Sequence, residues 1–319
     1  MSVKKYTLDL VEGTYQSHIY IPVKINDTIL PFIFDTGATC SIISRELALK
    51  TGLSAEWTSF WKISRFSEKV RYDTIAFTNK EISIGMLKTN AIFAIEGYKG
   101  YLIDDNDYKQ LNFTIIGMDI IDRFYWLFNF EDNTLTISNK GITIHKLQDD
   151  QILTLSYHSD SKSTSMDINI DGELLQNVEF DTGFSVPFEA LKKTKNIDIV
   201  FSKSDFEALT SKNYDLKAIY MPTNFGRAFI IDSMQLNDIT MQGILAFEHN
   251  DFSQTFISVD FIRRFRMMYI DSKNKKIHLY ISPSDTTRHN RRDLQIFRRA
   301  VQNYDEDTSD LPSSITDLW

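Results

Sequence analysis

The chain has 319 residues, 42% apolar and 24% charged, which is enough to bury two sizeable cores and too apolar for disorder along its body. Its net charge of −8 argues against nucleic acid as the main partner, and no stretch is apolar for long enough to cross a bilayer as a helix. Cys40 is the only cysteine, so an intrachain disulfide is excluded, and Met1 to Leu10 carries no apolar leader core. The expectation is a soluble cytoplasmic protein with no membrane partner, or a secreted one if a signal segment has been removed.

In chain order, strands are predicted at Lys5–Leu10, His18–Ile25 and Thr28–Phe34, the last two joined by a turn at Asn26-Asp27. The third runs directly into Asp35-Thr36-Gly37-Ala38. A strand-into-helix run, Thr39 to Ala48, comes next. Its helix is predicted over Ser44–Lys50, with Ser44 as N-cap and Gly52 as terminator. Lys62–Ile75 reads as a hairpin with its tip near Arg65-Phe66-Ser67-Glu68, and Ile82–Ile84 and Ala91–Ile95 read as paired strands. An apolar segment, Phe113 to Phe124, contains Ile115-Ile116-Gly117 and leads into an aromatic strand, a polar turn and another strand, Leu127 to Ile137.

The second half repeats this order. A hairpin turning at Asp171-Gly172 leads into Phe180-Asp181-Thr182-Gly183-Phe184, a second copy of Asp-Thr-Gly on the end of an apolar run. A hairpin over Ala218–Ile231, with its tip at Thr223-Asn224-Phe225-Gly226, stands where Lys62–Ile75 stood. Thr255 to Phe265 then reads against Phe113 to Phe124, and Met267 to Tyr280 against the closing strands. One Asp-Thr-Gly is an ordinary turn. Two copies with matched surroundings, at a period of roughly 140 residues, are too long for a solenoid unit and indicate two domain-sized halves, each supplying one aspartate. Two carboxylates brought together cannot both ionise cheaply; they share a proton, so that one acts as base and the other as acid.

These residues resemble the pepsin and retropepsin superfamily of aspartic peptidases, over nearly the whole span from about Tyr15 to Tyr280. Within each half the likeness is closer to short, retropepsin-like bacterial members than to pepsin. The resemblance implies an all-β, bilobal acid-protease fold: two pseudo-symmetric β-barrel lobes with short helices, at 1–145 and 146–282, followed by a charged tail at 283–319. It implies an aspartic endopeptidase that acts as a monomer on an extended peptide or protein substrate, with no cofactor and no metal. Asp35 and Asp181 would be the catalytic pair, activating a water between them. The Thr36 and Thr182 hydroxyls would brace the opposite loop, and Gly37 and Gly183 would allow close backbone approach. Ala38 and Phe184 would border the substrate, with Phe184 narrowing the cleft or forming a subsite wall. The two hairpins fall where the family's substrate-covering flaps belong, which assigns Arg65, Phe66, Asn224 and Phe225 to substrate binding.

The sequence departs from the family in two places. Phe256-Ile257-Ser258 has serine where the family favours glycine, for which local adjustment with the fold retained is expected. Pepsin-like members carry Ser or Thr after Asp-Thr-Gly, donating to a carboxylate; Ala38 and Phe184 have no such hydroxyl, so the pair should titrate higher than in pepsin. Asp119 and Asp260 each precede a short helical run and read as N-caps. The six histidines (His18, His145, His158, His249, His278 and His289) show no metal-binding spacing and read as structural or surface residues, and Cys40 reads as a small buried thiol. The tail, basic from Arg288 to Arg299 and acidic at Asp305-Glu306-Asp307, reads as a solvated appendage or a partner-binding segment. Two alternatives stay open: an inactive peptide-binding module of the same fold, and a scaffold acting through its tail.

Overall fold

A computed structural model describes residues 5–11, 18–63, 71–96, 114–144, 151–158, 164–185, 197–211, 218–220, 226–249 and 252–281. The expected hairpin tips carrying Arg65, Phe66, Asn224 and Phe225, and the charged tail, lie outside these residues. Strands dominate. The first half has β1 (Lys5–Asp9), β2 (Tyr20–Ile25), β3 (Thr28–Phe34), β4 (Ser41–Ser44), α1 (Arg45–Lys50), β5 (Trp57–Ile63), β6 (Arg71–Ile84) and β7 (Leu87–Glu96). It closes with β8 (Thr114–Ile116), α2 (Met118–Ile121), β9 (Tyr125–Asn129) and β10 (Thr134–Ser138). The second half has β11 (Gln151–His158), β12 (Ser165–Ile170), β13 (Glu173–Phe180), β14 (Ile199–Ser202), α3 (Lys203–Thr210), β15 (Ala218–Tyr220) and β16 (Gly226–Leu236). β17 (Ile239–His249), β18 (Phe256–Ile257), α4 (Val259–Ile262), β19 (Met267–Asp271) and β20 (Lys276–Ile281) complete it.

The predicted turns organise both halves. Asn26 has φ +51°, and Asp171 and Gly172 have φ +50° and +84°, the left-handed backbone that tight two-residue hairpins require. The strands they join alternate: in β12, Met166, Ile168 and Ile170 are buried while Asp167 and Asn169 between them are not. In the first half the order β2-β3-β8-β4-β7-β6 closes on itself through Lys24↔Ser83 and Ile25↔Ile82, making a six-strand barrel. The order β12-β13-β18-β14-β17-β16 closes in the same way through Ile170↔Leu236. Closure removes the exposed edges that open sheets must protect.

Outside these rings, β5 pairs with β6 from Trp57↔Phe77 to Ile63↔Arg71, and β15 pairs with β16 from Ala218↔Phe229 to Tyr220↔Arg227. The predicted hairpins exist in both halves, and the first is longer than expected. Ile82–Ile84 is not a separate strand but the far end of the 14-residue β6, which serves the hairpin at one end and the ring closure at the other. The remaining strands run in the order β1-β10-β9-β19-β20-β11, so one sheet draws strands from both halves. Its seam is the antiparallel pair β9–β19, from Asn129↔Met267 to Trp126↔Ile270.

The side chains behind that seam form one continuous buried cluster with the interiors of both rings. Phe34, one position before Asp35, packs edge-on against Trp126 at 5.0 Å and Phe128 at 4.7 Å between ring centroids. All three are fully buried, and the Trp126 indole N–H donates to the Ile121 carbonyl at 2.8 Å. The strand bearing the first aspartate is thus anchored to the shared sheet. Phe128→Ala should lower unfolding free energy by about 3–5 kcal/mol, read from urea denaturation of the purified chain. A loss below about 1 kcal/mol would show that this aromatic cluster does not carry the seam.

Candidate active site

Each Asp-Thr-Gly loop leaves a strand of its ring and is held from behind by the short strand beside it. β3 pairs parallel with β8, and the Asp35 N–H donates to the Ile116 carbonyl at 3.0 Å. β13 pairs parallel with β18, and the Asp181 N–H donates to the Ile257 carbonyl at 3.0 Å. Just beyond, the Met118 N–H donates to the Ala38 carbonyl at 2.8 Å and the Val259 N–H to the Phe184 carbonyl at 3.0 Å. The segments that matched in sequence therefore do the same mechanical job in each half.

The two loops interlock through their threonines. The Thr36 hydroxyl donates to the Phe180 carbonyl at 2.5 Å, and the Thr182 hydroxyl donates to the Phe34 carbonyl at 2.6 Å. Each hydroxyl also accepts the other threonine's backbone N–H, at 3.1 Å and 3.0 Å. Thr36 and Thr182 are essentially fully buried, so removing either hydroxyl would strand a backbone donor away from water. A Cβ added at Gly37 would collide with the Asp181 carboxylate, and one at Gly183 would collide with that of Asp35. Each glycine is thus required by the aspartate of the opposite loop.

This packing brings the Asp35 and Asp181 carboxyl groups into hydrogen-bonding contact with one another. Their supports are unequal. Asp35 Oδ1 accepts the Gly37 N–H at 2.8 Å and the Ala38 N–H at 2.9 Å, whereas Asp181 Oδ1 accepts the Gly183 N–H at 2.8 Å. Burial raises the pKa of Asp35, opposed by the Asp181 hydrogen bond and the two amides. Burial raises Asp181 well above its ordinary value, reinforced by the charges of Asp35 and of Glu179, whose side chain accepts from Gln254. Both carboxyls are shifted upward, Asp181 the more strongly, which favours a proton held by the pair. The arrangement can remove a proton at one carboxyl while delivering one from the other.

Several expectations change in detail. Ala38 lacks a hydroxyl but supplies a backbone N–H to Asp35 instead. Phe184 is 3% exposed and packs on Phe256 at 5.5 Å, so its ring backs the loop rather than standing in open space. Neither Asp119 nor Asp260 is an N-cap. The cap positions are Gly117 and Ser258, and the two aspartates lie in the first turn, where they accept the Ser41 hydroxyl at 2.8 Å and the Ser185 hydroxyl at 2.7 Å. Burial pushes Asp119 up to about 6. It also pushes the Cys40 thiol up to about 11, aided by Asp119, which keeps it protonated and poorly nucleophilic.

Ser258 shows how the missing glycine is accommodated. At Gly117 a Cβ would strike the Cys40 backbone and the Ala38 carbonyl, so only glycine fits, and its N–H donates to the Ser41 hydroxyl at 3.2 Å. Ser258 is fully buried; its hydroxyl donates to the Ile197 carbonyl at 2.6 Å and accepts the Asp260 N–H at 3.2 Å. The serine therefore brings its own capping group. Sequence reasoning missed Ser41, Ser185 and His18; the last lies against the Gly183 loop and carried no signal beyond being one histidine among six.

Residues 21–120 match a family model described as aspartyl protease, a segment that contains the first Asp-Thr-Gly loop, β8 and Gly117. No curated protein matches the chain significantly.

The raised pKa of Asp181 carries a sign that can be measured. Its protonated form is favoured in the folded chain, so this contribution to stability is complete below the ordinary aspartate value of 3.8 and declines as pH rises toward the folded value. Asparagine copies the protonated carboxyl without this dependence. Asp181→Asn should therefore melt higher than the parent at pH 7 and nearly with it at about pH 3, read by scanning calorimetry. A lower melting temperature at pH 7 would contradict the burial of a shared proton.

Proposed function

We propose that this chain is an aspartic endopeptidase with a bilobal, retropepsin-like architecture, in which each closed ring and its share of the common sheet form one lobe. One observation carries the reading: two carboxyls, one from each ring, meet under crossed threonines, and both are shifted toward the protonated form. The match of residues 21–120 to the aspartyl protease family model supports it. No cofactor or metal is required by this chemistry.

In the proposed mechanism a water lies between the carboxyls and attacks the scissile carbonyl carbon. Asp35, held ionised by two backbone amides, accepts a proton from the water, while Asp181 gives its proton to the carbonyl oxygen. The tetrahedral diol then collapses: one hydroxyl proton passes to a carboxylate, the C–N bond breaks, and the departing nitrogen takes up a proton. No acyl-enzyme forms. The β5–β6 and β15–β16 hairpins would lie over the substrate, with Arg65, Phe66, Asn224 and Phe225 at their tips; Ala38 and Phe184 would shape the floor through their backbone and packing. Because both loops belong to one chain, the active species is a monomer, and a near-neutral optimum would suit the cytoplasm.

The test is cleavage of a mixed peptide library with and without a statine-containing peptide, which imitates the tetrahedral diol. Wild type should cleave and be inhibited, at a specific activity that dilution does not change. Asp35→Asn and Asp181→Asn should each lose at least about 10³-fold in kcat, since the pair acts as a unit. Substantial activity in Asp181→Asn would overturn the two-carboxyl mechanism.

Activity needs one proton on the pair, so the window should follow the raised values upward, to an optimum at roughly pH 5 to 7. Ala38→Ser, which adds a donor for the Asp35 carboxylate, should move the acidic limb to lower pH. A wild-type pH–rate profile peaking below about pH 4 would count against the buried, weakly supported pair.

A further inference from the structure

His18 reaches the second half of the molecule through both its side chain and its backbone. Its ring Nε2–H donates to the Gly183 carbonyl at 2.9 Å, and its own backbone carbonyl accepts from Arg263 Nη2 at 2.8 Å, at the end of α4. The next residue, Ile19, accepts the Phe34 N–H at 2.9 Å and so fixes the strand that delivers Asp35. Two adjacent residues therefore hold both aspartate loops, one through a side chain and the other through the main chain. Gly183 donates to Asp181 while its carbonyl is tied to His18, so movement of that imidazole is passed to the second carboxyl.

We propose that His18 is a positioning residue for the reaction: from the first half it clasps the second Asp-Thr-Gly loop and fixes the distance between the two carboxyls. This rests on the peptidase reading, yet the clasp itself can be observed without turnover. Optimal placement is demanding, because displacements of about 1 Å between reacting groups can cost on the order of 10²-fold in rate. The crossed threonines hold the loop bases, whereas His18 holds the Gly183 turn beyond them.

The groups around His18 favour its neutral form. Burial is the main cause of its lowered pKa, opposed by the Gly183 hydrogen bond and aided by the positive charge of Arg263. Asp260 on α4 offsets part of the Arg263 charge, Tyr20 on β2 lies 6.5 Å away between ring centroids, and the Asp181 loop faces the imidazole directly. The neutral ring is thus stable in place above the ordinary imidazole value of 6.5, and its stabilising contribution is lost as pH falls below that value.

Two variants and two readouts test this. His18→Leu removes the donor, and His18→Gln keeps an N–H donor without a titration. In wild type and both variants, hydrogen exchange of the amides at 181–184 would be followed by mass spectrometry, and kcat and KM would be measured from pH 4 to 8. The expected result for His18→Leu is faster exchange in this loop alone and a kcat at least about tenfold lower with KM changed less than about threefold. His18→Gln should restore loop protection and most of kcat at pH 7. Unchanged loop exchange in His18→Leu would overturn the clasp, whether or not the protein proves to be a peptidase. Loop exchange that rises while kcat and its pH profile stay at wild-type values would overturn the positioning role. Equal loss of kcat in both variants would show packing alone to be responsible and would overturn it as well. A wild type with no cleavage and no statine-peptide binding, but with the expected exchange pattern, would instead remove the peptidase reading and with it the catalytic purpose of the clasp.

Discussion

The crossed hydrogen bonds between Thr36 and Thr182 are the constraint on which the site depends. Two carboxylates drawn together oppose their own assembly: at about 4 Å and an effective dielectric near 20, like charges repel by about 4 kcal/mol. The four hydrogen bonds of the threonine lock, at about 1 kcal/mol each, are of comparable size and leave little surplus. The balance turns favourable once one proton is shared, because that removes the like-charge term and puts a hydrogen bond in its place. A proton shared by the pair is therefore a structural element as much as a chemical one. Gly37 and Gly183 are required by the same closeness, since any side chain there would occupy the opposite carboxylate.

Around this common centre the halves reach equivalent ends by different chemistry. Gly117 is walled in by the Cys40 backbone and receives its hydroxyl from Ser41 on β4. Ser258 carries the hydroxyl itself and caps α4 with it. Where the first half has Cys40 just before β4, the second has Asp198 just before β14, buried and held by Nε and Nη2 of Arg264. A buried ion pair of this kind need not add stability over an apolar pair. Its hydrogen bonds to the backbone at Gly243 and Leu245 do tie α4 to β17, as Arg123 ties its helix to Asn90 in the first half.

Much of this was legible because the chain repeats itself. A single Asp-Thr-Gly carries little information, but two copies, each with a matching apolar segment and hairpin, made the pairing of Asp35 with Asp181 readable from order alone. The tight turns at Asn26 and Asp171 were equally plain, since few residues accept a positive φ. What stayed hidden was set by tertiary packing. Asp119 and Asp260 sit beside helix starts and look like caps, yet the chain reaches each helix with Gly117 or Ser258 already in the cap position, leaving the aspartates to bind serines from elsewhere. Phe184 offered bulk but not direction, and its burial against Phe256 depends on a neighbour 72 positions away (256 minus 184). His18 was opaque for the same reason: its partner comes from the other half.

The shared sheet also dictates a timetable. β1 precedes the other described strands, but its partner is β10, so Lys5 waits for Ser138. β9 in turn meets β19, and β11 meets β20, so the seam closes only when the final strand of the second half has formed. Such distant pairings place the main entropic cost of folding late and slow it. During synthesis the first ring can close early, exposing one aspartate with nothing opposite it. The facing carboxyl arrives only with the second ring, so a chain that ends before it carries one of the two aspartates. The order of strands along the chain thus keeps the two carboxyls apart until the second ring has been made.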